Sequence, residues 1–395
     1  MTGMLVALYE NQFVDMTGDT SKEQWYSKMK TGLLICPVCK KKVIPKCGSK
    51  NVWHFAHQSQ DTCAGLHEAE TNYHLIGKKS LFHWLMKKEK NLYLEHYLRD
   101  IAQRPDIYLS EGEQAIEYQC ATLNVDMFIS RINGYQSIGI ESDWIFGMKR
   151  INKKRENLYS LQMTDLTAAK RDKTGKLSLN YFCPLQQQFL LLRNILPISQ
   201  RKVLADGYTF SAKNLDLNMM FGTLENKNYE YRNLLWNNQK KTWRMTAYKN
   251  VSPSIMYVKK VMYFNHRSIT LFSPLAGMPS YNYYFFETSP FIWQSYLLFF
   301  IEKLSSTFTL NQIENECKRL MGKRIFLERK LPYINGSYQC AIKGYLNFLE
   351  SEQIIEQMND NHYRKRRPVP YPRTLDEAFG QDKIFSKKAV IFDFV

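Results

Sequence analysis

Residues 103–120 read QRPDIYLSEGEQAIEYQC, and the carboxylates Asp106 and Glu117 within this stretch decide how the chain around it is read. DIYLS and QAIEYQ are short runs rich in β-favouring residues, with a turn signal at Glu111 and Gly112 between them. In two adjacent paired strands, Asp106 at the start of one can lie beside Glu117 on the other. The side-chain period of two then puts Gln119 on the face that carries Glu117. Carboxylates converging on a small volume suit magnesium or manganese, hard cations that activate water for phosphodiester cleavage.

Working outward, Ala69, Tyr73, Ile76, Gly77, Ser80, Leu81, Trp84 and Leu85 recur at helical spacing. Glu70, His74 and Lys78 follow at steps of four along one edge of that helix, which is expected to face Asp106, Glu117 and Gln119. NLYLEHYL reads as a strand before the carboxylate pair, a helix is expected over 124–132, and a strand over 139–146. The order helix, three strands, helix, strand resembles the PD-(D/E)xK nuclease layout, a restriction-endonuclease-like core over 66–150. Gln119 departs from that motif: the usual Lys brings positive charge, whereas Gln only hydrogen-bonds water. Lys78 is the candidate to supply the missing charge. The candidate catalytic set is Glu70, His74, Lys78, Asp106, Glu117 and Gln119, with Glu70, Asp106 and Glu117 holding the metal. Asp126, Arg131 and Tyr135 are weaker candidates for phosphate contact, and Glu141 and Asp143 read as strand-end charges.

Residues 1–65 form a small Cys/His module. Cys36 and Cys39 in CPVC are spaced so that both thiolates reach one cation, and His54 and His57 in HFAH offer two imidazoles. Four such ligands make a tetrahedral, structural zinc site of zinc-ribbon type, closed to water and substrate. Cys47 and Cys63 leave the ligand set open. The module is too small for a large core, so a bound metal would stabilise its fold. The remaining cysteines are scattered, which suits free thiols in a reducing cytoplasm.

At 395 residues the chain suits several domains, α+β overall. Its net charge of +17 is uneven: residues 1–150 hold 18 Lys and Arg against 17 Asp and Glu, the remainder 36 against 20. A basic region joined to a balanced one points to nucleic acid as partner. The basic stretch 148–175 reads as linker, loop or phosphate-facing helix within a mixed region, 151–285. From 286 to 395, helices are expected over 292–304, 310–321 and 338–350, followed by QIIEQMNDNHYRKRR; three helices and a hairpin suggest a winged helix. Its Arg364, Lys365, Arg366 and Arg367, beside His362 and Tyr363, are candidate DNA contacts. No apolar run is long enough for a membrane span, and a cytoplasmic, soluble protein is expected.

Taken together, CPVC, HFAH, ETNYHLIGK, QRPDI, AIEYQC and WIFG, in that order from about residue 4 to 147, resemble the competence protein CoiA family of naturally transformable Gram-positive bacteria. The resemblance implies a role in natural transformation, acting on incoming single-stranded DNA and promoting its recombination. It carries Glu70, His74, Asp106, Glu117 and Gln119 over as active-site residues, with the ExQ form of the motif shared by the family, and Cys36, Cys39, His54 and His57 as the zinc-type set. The leading expectation is a Mg²⁺- or Mn²⁺-dependent DNA nuclease working on single-stranded or branched recombination intermediates, alongside recombination proteins. The alternative is a non-catalytic DNA-binding protein that keeps a nuclease-like fold.

Overall fold

The computed structural model describes residues 3–58, 63, 71–222, 224 and 229–388. Thr71 starts the first core helix, its hydroxyl accepting from the His74 N–H at 3.3 Å, and the helix runs Asn72–Met86. Leu75, Leu81 and Leu85 are buried beneath it. Strands Leu92–Leu94, Ile107–Leu109 and Gln114–Gln119 follow as an antiparallel run. Helix Val125–Ser137 then crosses over, so that Glu141–Gly147 lies parallel to Gln114–Gln119. A parallel pair cannot be joined by a tight turn, which is why a helix intervenes here. The order helix, three strands, helix, strand is therefore the one expected.

The sheet continues past residue 150, where the core was expected to end. Glu141–Gly147 pairs parallel with Leu177–Cys183, which leads antiparallel into Gln188–Pro197 and Lys202–Ser211. With Leu158–Ser160 and Asn152–Arg155 at the far edge, and the short strand Lys170–Arg171 paired beside Leu177–Cys183, the result is one ten-stranded mixed sheet. The basic stretch 148–175 is strands and 3-10 turns with no α-helix, and Arg150 turns inward to Asp165 at 3.0 Å. Residues 151–211 thus belong to the sheet, because their apolar alternation needs the same covered faces as its central strands.

Alternation along the central strands divides the interior in two. Trp144, Phe146 and Tyr181 join Phe128 and the C-terminal helices on one face; Ile145, Tyr118 and Phe182 join Leu75 and the N-terminal module on the other. That module consists of two three-stranded sheets, one built on Val6–Tyr9 and one on His54–His57, with helix Lys22–Lys30 capped by Ser21 and Gln24. It is tied to the core by Glu95, whose carboxylate accepts from the backbone N–H groups of Leu5 at 3.0 Å and Val6 at 3.3 Å.

At the C-terminal end, helix Pro290–Lys303, strand Thr307–Thr309, helices Leu310–Gly322 and Tyr338–Ser351, and hairpin Ile355–Asn359/His362–Lys365 form a winged-helix arrangement. Its third helix is covered: a Cβ on Gly344 would lie 2.1 Å from the Tyr281 carbonyl oxygen. The last helix, Leu375–Lys388, is held by Asp382, which pairs with buried Lys240 at 2.9 Å and Arg244 at 2.7 Å. Among the described residues no helix is long and apolar enough to cross a membrane.

Helix Asn72–Met86 packs close against the sheet at Gly77, where a Cβ would lie 1.9 Å from Cε1 of Tyr118. That ring is buried, and its hydroxyl is hydrogen-bonded to the Phe182 carbonyl at 3.2 Å. Gly77→Ala should therefore cost roughly 1–3 kcal/mol by overpacking. A denaturation midpoint equal to the wild type's would show that the helix stands further off than described.

Candidate nuclease-like centre and metal module

Ile107 pairs with Ile116, and extending that antiparallel register by one residue sets Asp106 opposite Glu117. Asp106 is buried; its Oδ2 accepts from the Tyr118 N–H at 2.8 Å and lies 3.4 Å from Nε2 of His74, while Oδ1 lies 3.3 Å from the Lys78 ammonium. Burial by itself would raise the Asp106 carboxyl, but Lys78 and His74 hold it well below the usual carboxylate range. Lys78 is fully buried and also reaches Oε1 of Glu95 at 2.5 Å, and Arg104 approaches Oε2 of Glu95 at 3.3 Å. Against the opposing effect of burial, Arg104 and Lys78 lower the Glu95 carboxyl as well.

Glu117 faces the other way. Its Oε1 accepts from the Arg131 guanidinium and the Tyr135 hydroxyl, both on helix Val125–Ser137. Burial is the largest influence on this carboxyl and raises it, with Asp106 adding in the same direction against Arg131. Gln119 shares that face by alternation and donates to the Ala121 carbonyl at 2.9 Å. The expectation that one helix edge would face all three strand residues is corrected here. His74 and Lys78 reach Asp106, whereas Glu117 bonds the helix on the opposite face, so among the described residues the two halves meet at Asp106. Glu70 lies outside the described residues. Of the weaker candidates, Arg131 and Tyr135 are spent on Glu117, and Asp126 is an exposed first-turn residue whose N–H bonds the Asn124 side chain. Glu141 and Asp143 share Lys170, at 2.9 and 2.7 Å.

Sequence reasoning overlooked Glu95, which stands alone among apolar residues in NLYLEHYL; a lone carboxylate in such a run signals a buried partner. The Arg131–Tyr135 spacing of four, which puts both on one helix face, was the available sign that they act together.

In the N-terminal module, ligand atoms of Cys36, Cys39, His57 and Cys63 all lie within 4.8 Å of one another, a cluster that could hold a metal such as zinc. Cys39 Sγ is 3.2 Å from His57 Nε2, and Cys36 Sγ is 3.9 Å from Cys63 Sγ. Burial pushes the Cys36 thiol up to about 12. Three sulfurs and one imidazole are a suitable tetrahedral donor set for zinc. His54 is not part of it. Residues three apart on strand His54–His57 point to opposite faces, so both imidazoles cannot reach one ion. Its place is taken by Cys63.

The wing is largely tied down. Lys365 donates to the carbonyls of Glu302 at 2.8 Å and Leu304 at 2.5 Å, closing the end of helix Pro290–Lys303. Arg364 and Arg366 approach Glu356 at 4.0 and 2.5 Å, and Arg367 bonds Gln353. Lys365 thus closes a helix end within the protein.

Three family models match in succession: the competence protein CoiA N-terminal domain over residues 18–65, its nuclease-like domain over 70–225 and its C-terminal domain over 233–379. The chain belongs to the competence protein CoiA family. The competence protein CoiA of Bacillus subtilis (strain 168) is 26% identical over 370 residues, covering 91% of this chain and 97% of the relative. No solved structure matches. The CoiA nuclease-like match reaches residue 225, in keeping with a sheet that runs to Ser211.

Two outcomes test these sites. Metal analysis of purified protein should find the bound ion retained in His54→Ala and lost in Cys63→Ser; the reverse result would return the fourth position to His54. Asp106 and Glu95 are held below their unfolded values, so their stabilisation is full above the ordinary carboxylate range, about pH 4, and is lost on acidification. Asp106→Asn should accordingly be less stable than wild type near neutrality, with the gap narrowing as pH falls below about 4. A gap that stays constant with pH would mean that the Lys78 and His74 contacts contribute nothing.

Proposed function

We propose that the chain acts on DNA in natural transformation, as a divalent-metal-dependent deoxyribonuclease that processes single-stranded or branched recombination intermediates. The observation that carries this reading is the Asp106–Glu117 register within the CoiA nuclease-like domain. Glu117 keeps Oε2 outside its bonds to Arg131 and Tyr135, so the pair can offer oxygen ligands of the hard type that magnesium and manganese take. When bound, such an ion supplies a polarised phosphate oxygen and an activated water. On the chain's side, Lys78 brings to Asp106 the positive charge that Gln119 lacks, and His74 can hold a proton 3.4 Å from the same carboxylate. The Cys36, Cys39, His57 and Cys63 cluster is proposed as structural zinc. None of the eight cysteines forms a disulfide among the described residues, which suits a cytoplasmic setting.

A second reading is favoured by one specific feature. Each carboxylate of the centre already has an internal cation, Lys78 on Asp106 and Arg131 on Glu117, which lessens the local negative charge that would recruit a metal ion. On this reading the domain keeps the fold and binds DNA without cutting it.

A cleavage panel separates the two. Single-stranded, duplex and branched DNA would be incubated in Mg²⁺ and in Mn²⁺ with wild type, Glu117→Gln and Asp106→Asn. Metal-dependent cleavage that falls at least about 100-fold in both variants, with DNA binding kept, is the expected result, since losing transition-state stabilisation of a few kcal/mol has that effect. Wild type that cuts no substrate with either ion would leave the binding reading.

A further inference from the structure

We propose that the metal module carries a polynucleotide groove, a surface cleft that takes a segment of single-stranded DNA beside the helix bearing His74 and Lys78. This rests on the DNA reading above and gives it a binding surface.

The near-neutral balance of residues 1–150 conceals a split. Between residues 18 and 58 the chain carries eight lysines against only Asp19 and Glu23. Three of those lysines, Lys22, Lys46 and Lys50, line a cleft of about 610 Å³ together with Tyr26, Asn51 and His54, and no carboxylate lines it. All three are exposed, and none forms an ion pair with a carboxylate among the described residues. Lys22 stands over the Tyr26 ring at 5.9 Å. The cations elsewhere near the centre are different in kind: Lys78, Arg104 and Arg131 are each consumed by a carboxylate of the same chain. A phosphate backbone is drawn to positive charge that the protein has left unmatched, and Lys22, Lys46 and Lys50 present three such charges around one cleft.

His54, displaced from the metal cluster, forms the inner wall of this cleft. Its Nδ1 donates to the Val52 carbonyl at 2.8 Å, and its ring packs against Gly3. The Val52 N–H in turn bonds the side chain of Asn72, the first residue of helix Asn72–Met86, at 2.8 Å. A strand lying in the cleft therefore runs alongside the helix that reaches Asp106. Rings interleaved with lysines in one concave surface suit unpaired bases, which can stack as their phosphates are neutralised; a duplex keeps its bases inside and would meet the lysines alone.

The test measures binding by the full-length protein to a fluorescein-labelled oligo-dT strand of about 16 nucleotides, the upper end of typical single-strand sites, and to a duplex of equal length. The triple variant Lys22→Gln, Lys46→Gln, Lys50→Gln should lose at least about 10-fold in single-strand affinity, and its slope of log K against log salt should shrink by about 2, three phosphates at roughly 0.7 each. Tyr26→Ala should weaken single-strand binding about 5-fold or more with the slope and duplex binding unchanged. Metal content and melting equal to wild type establish that the variants are folded. Independently of any variant, photocrosslinking of wild type to a bromodeoxyuridine strand should label the 22–54 segment. Wild-type affinity and slope in the triple variant, or crosslinks confined to other segments, would overturn the groove. Cleavage by wild type together with an indifferent triple variant removes the groove and leaves the nuclease; groove-dependent binding without cleavage does the opposite.

Discussion

Lys78 is fully buried, with its ammonium 2.5 Å from Glu95 and 3.3 Å from Asp106. Removing charges from water is costly, and a buried ion is tolerated only when partners and hydrogen bonds replace its hydration. Here the replacement draws on every layer of the first half of the molecule. Lys78 comes from the first core helix, Asp106 from the start of a central strand, Arg104 from the turn before it, and Glu95 from the turn before that. Glu95 then spends its remaining capacity on the Leu5 and Val6 backbone of the N-terminal module. Breaking a buried pair of this kind by removing one partner typically costs about 3–5 kcal/mol, because it strands the other charge. The cluster thus sets the position of the helix, the sheet edge and the module relative to one another.

The same cluster explains how the candidate centre is arranged. Lys78 serves Asp106 from the first core helix, whereas Glu117 is received by Arg131 and Tyr135 from helix Val125–Ser137. The nuclease-like domain of this family member therefore neutralises its two strand carboxylates from two different helices. Gln119 follows Glu117 to that face and is turned to the Ala121 carbonyl. The positive charge absent from Gln119 is present in the centre, but it enters from the far side of the sheet.

Charge is also divided by role. Cations within the core and most of those on the wing are matched internally, and Lys365 closes a helix end. On the N-terminal module Lys22, Lys46 and Lys50 are exposed around one cleft, in the same small fold as the Cys36, Cys39, His57 and Cys63 cluster that could hold a metal.

Much of this was legible in the sequence, and what was legible was local. The periods of helix and strand, the order of elements from His74 to Trp144, the three C-terminal helices and hairpin, and the Cys36–Cys39 pair all follow from spacing along the chain. The Asp106–Glu117 register follows as well, since a short turn between paired strands leaves little alternative. Tertiary structure decided the rest, for two physical reasons. Which face a strand residue occupies depends on what the sheet packs against, and this sent Glu117 away from Lys78 and His54 away from the metal cluster. And partners such as Glu95 with Leu5, or Cys36 with Cys63, are brought together only by folding, because nothing in their spacing distinguishes them from any other buried acid or thiol until the chain has closed around them.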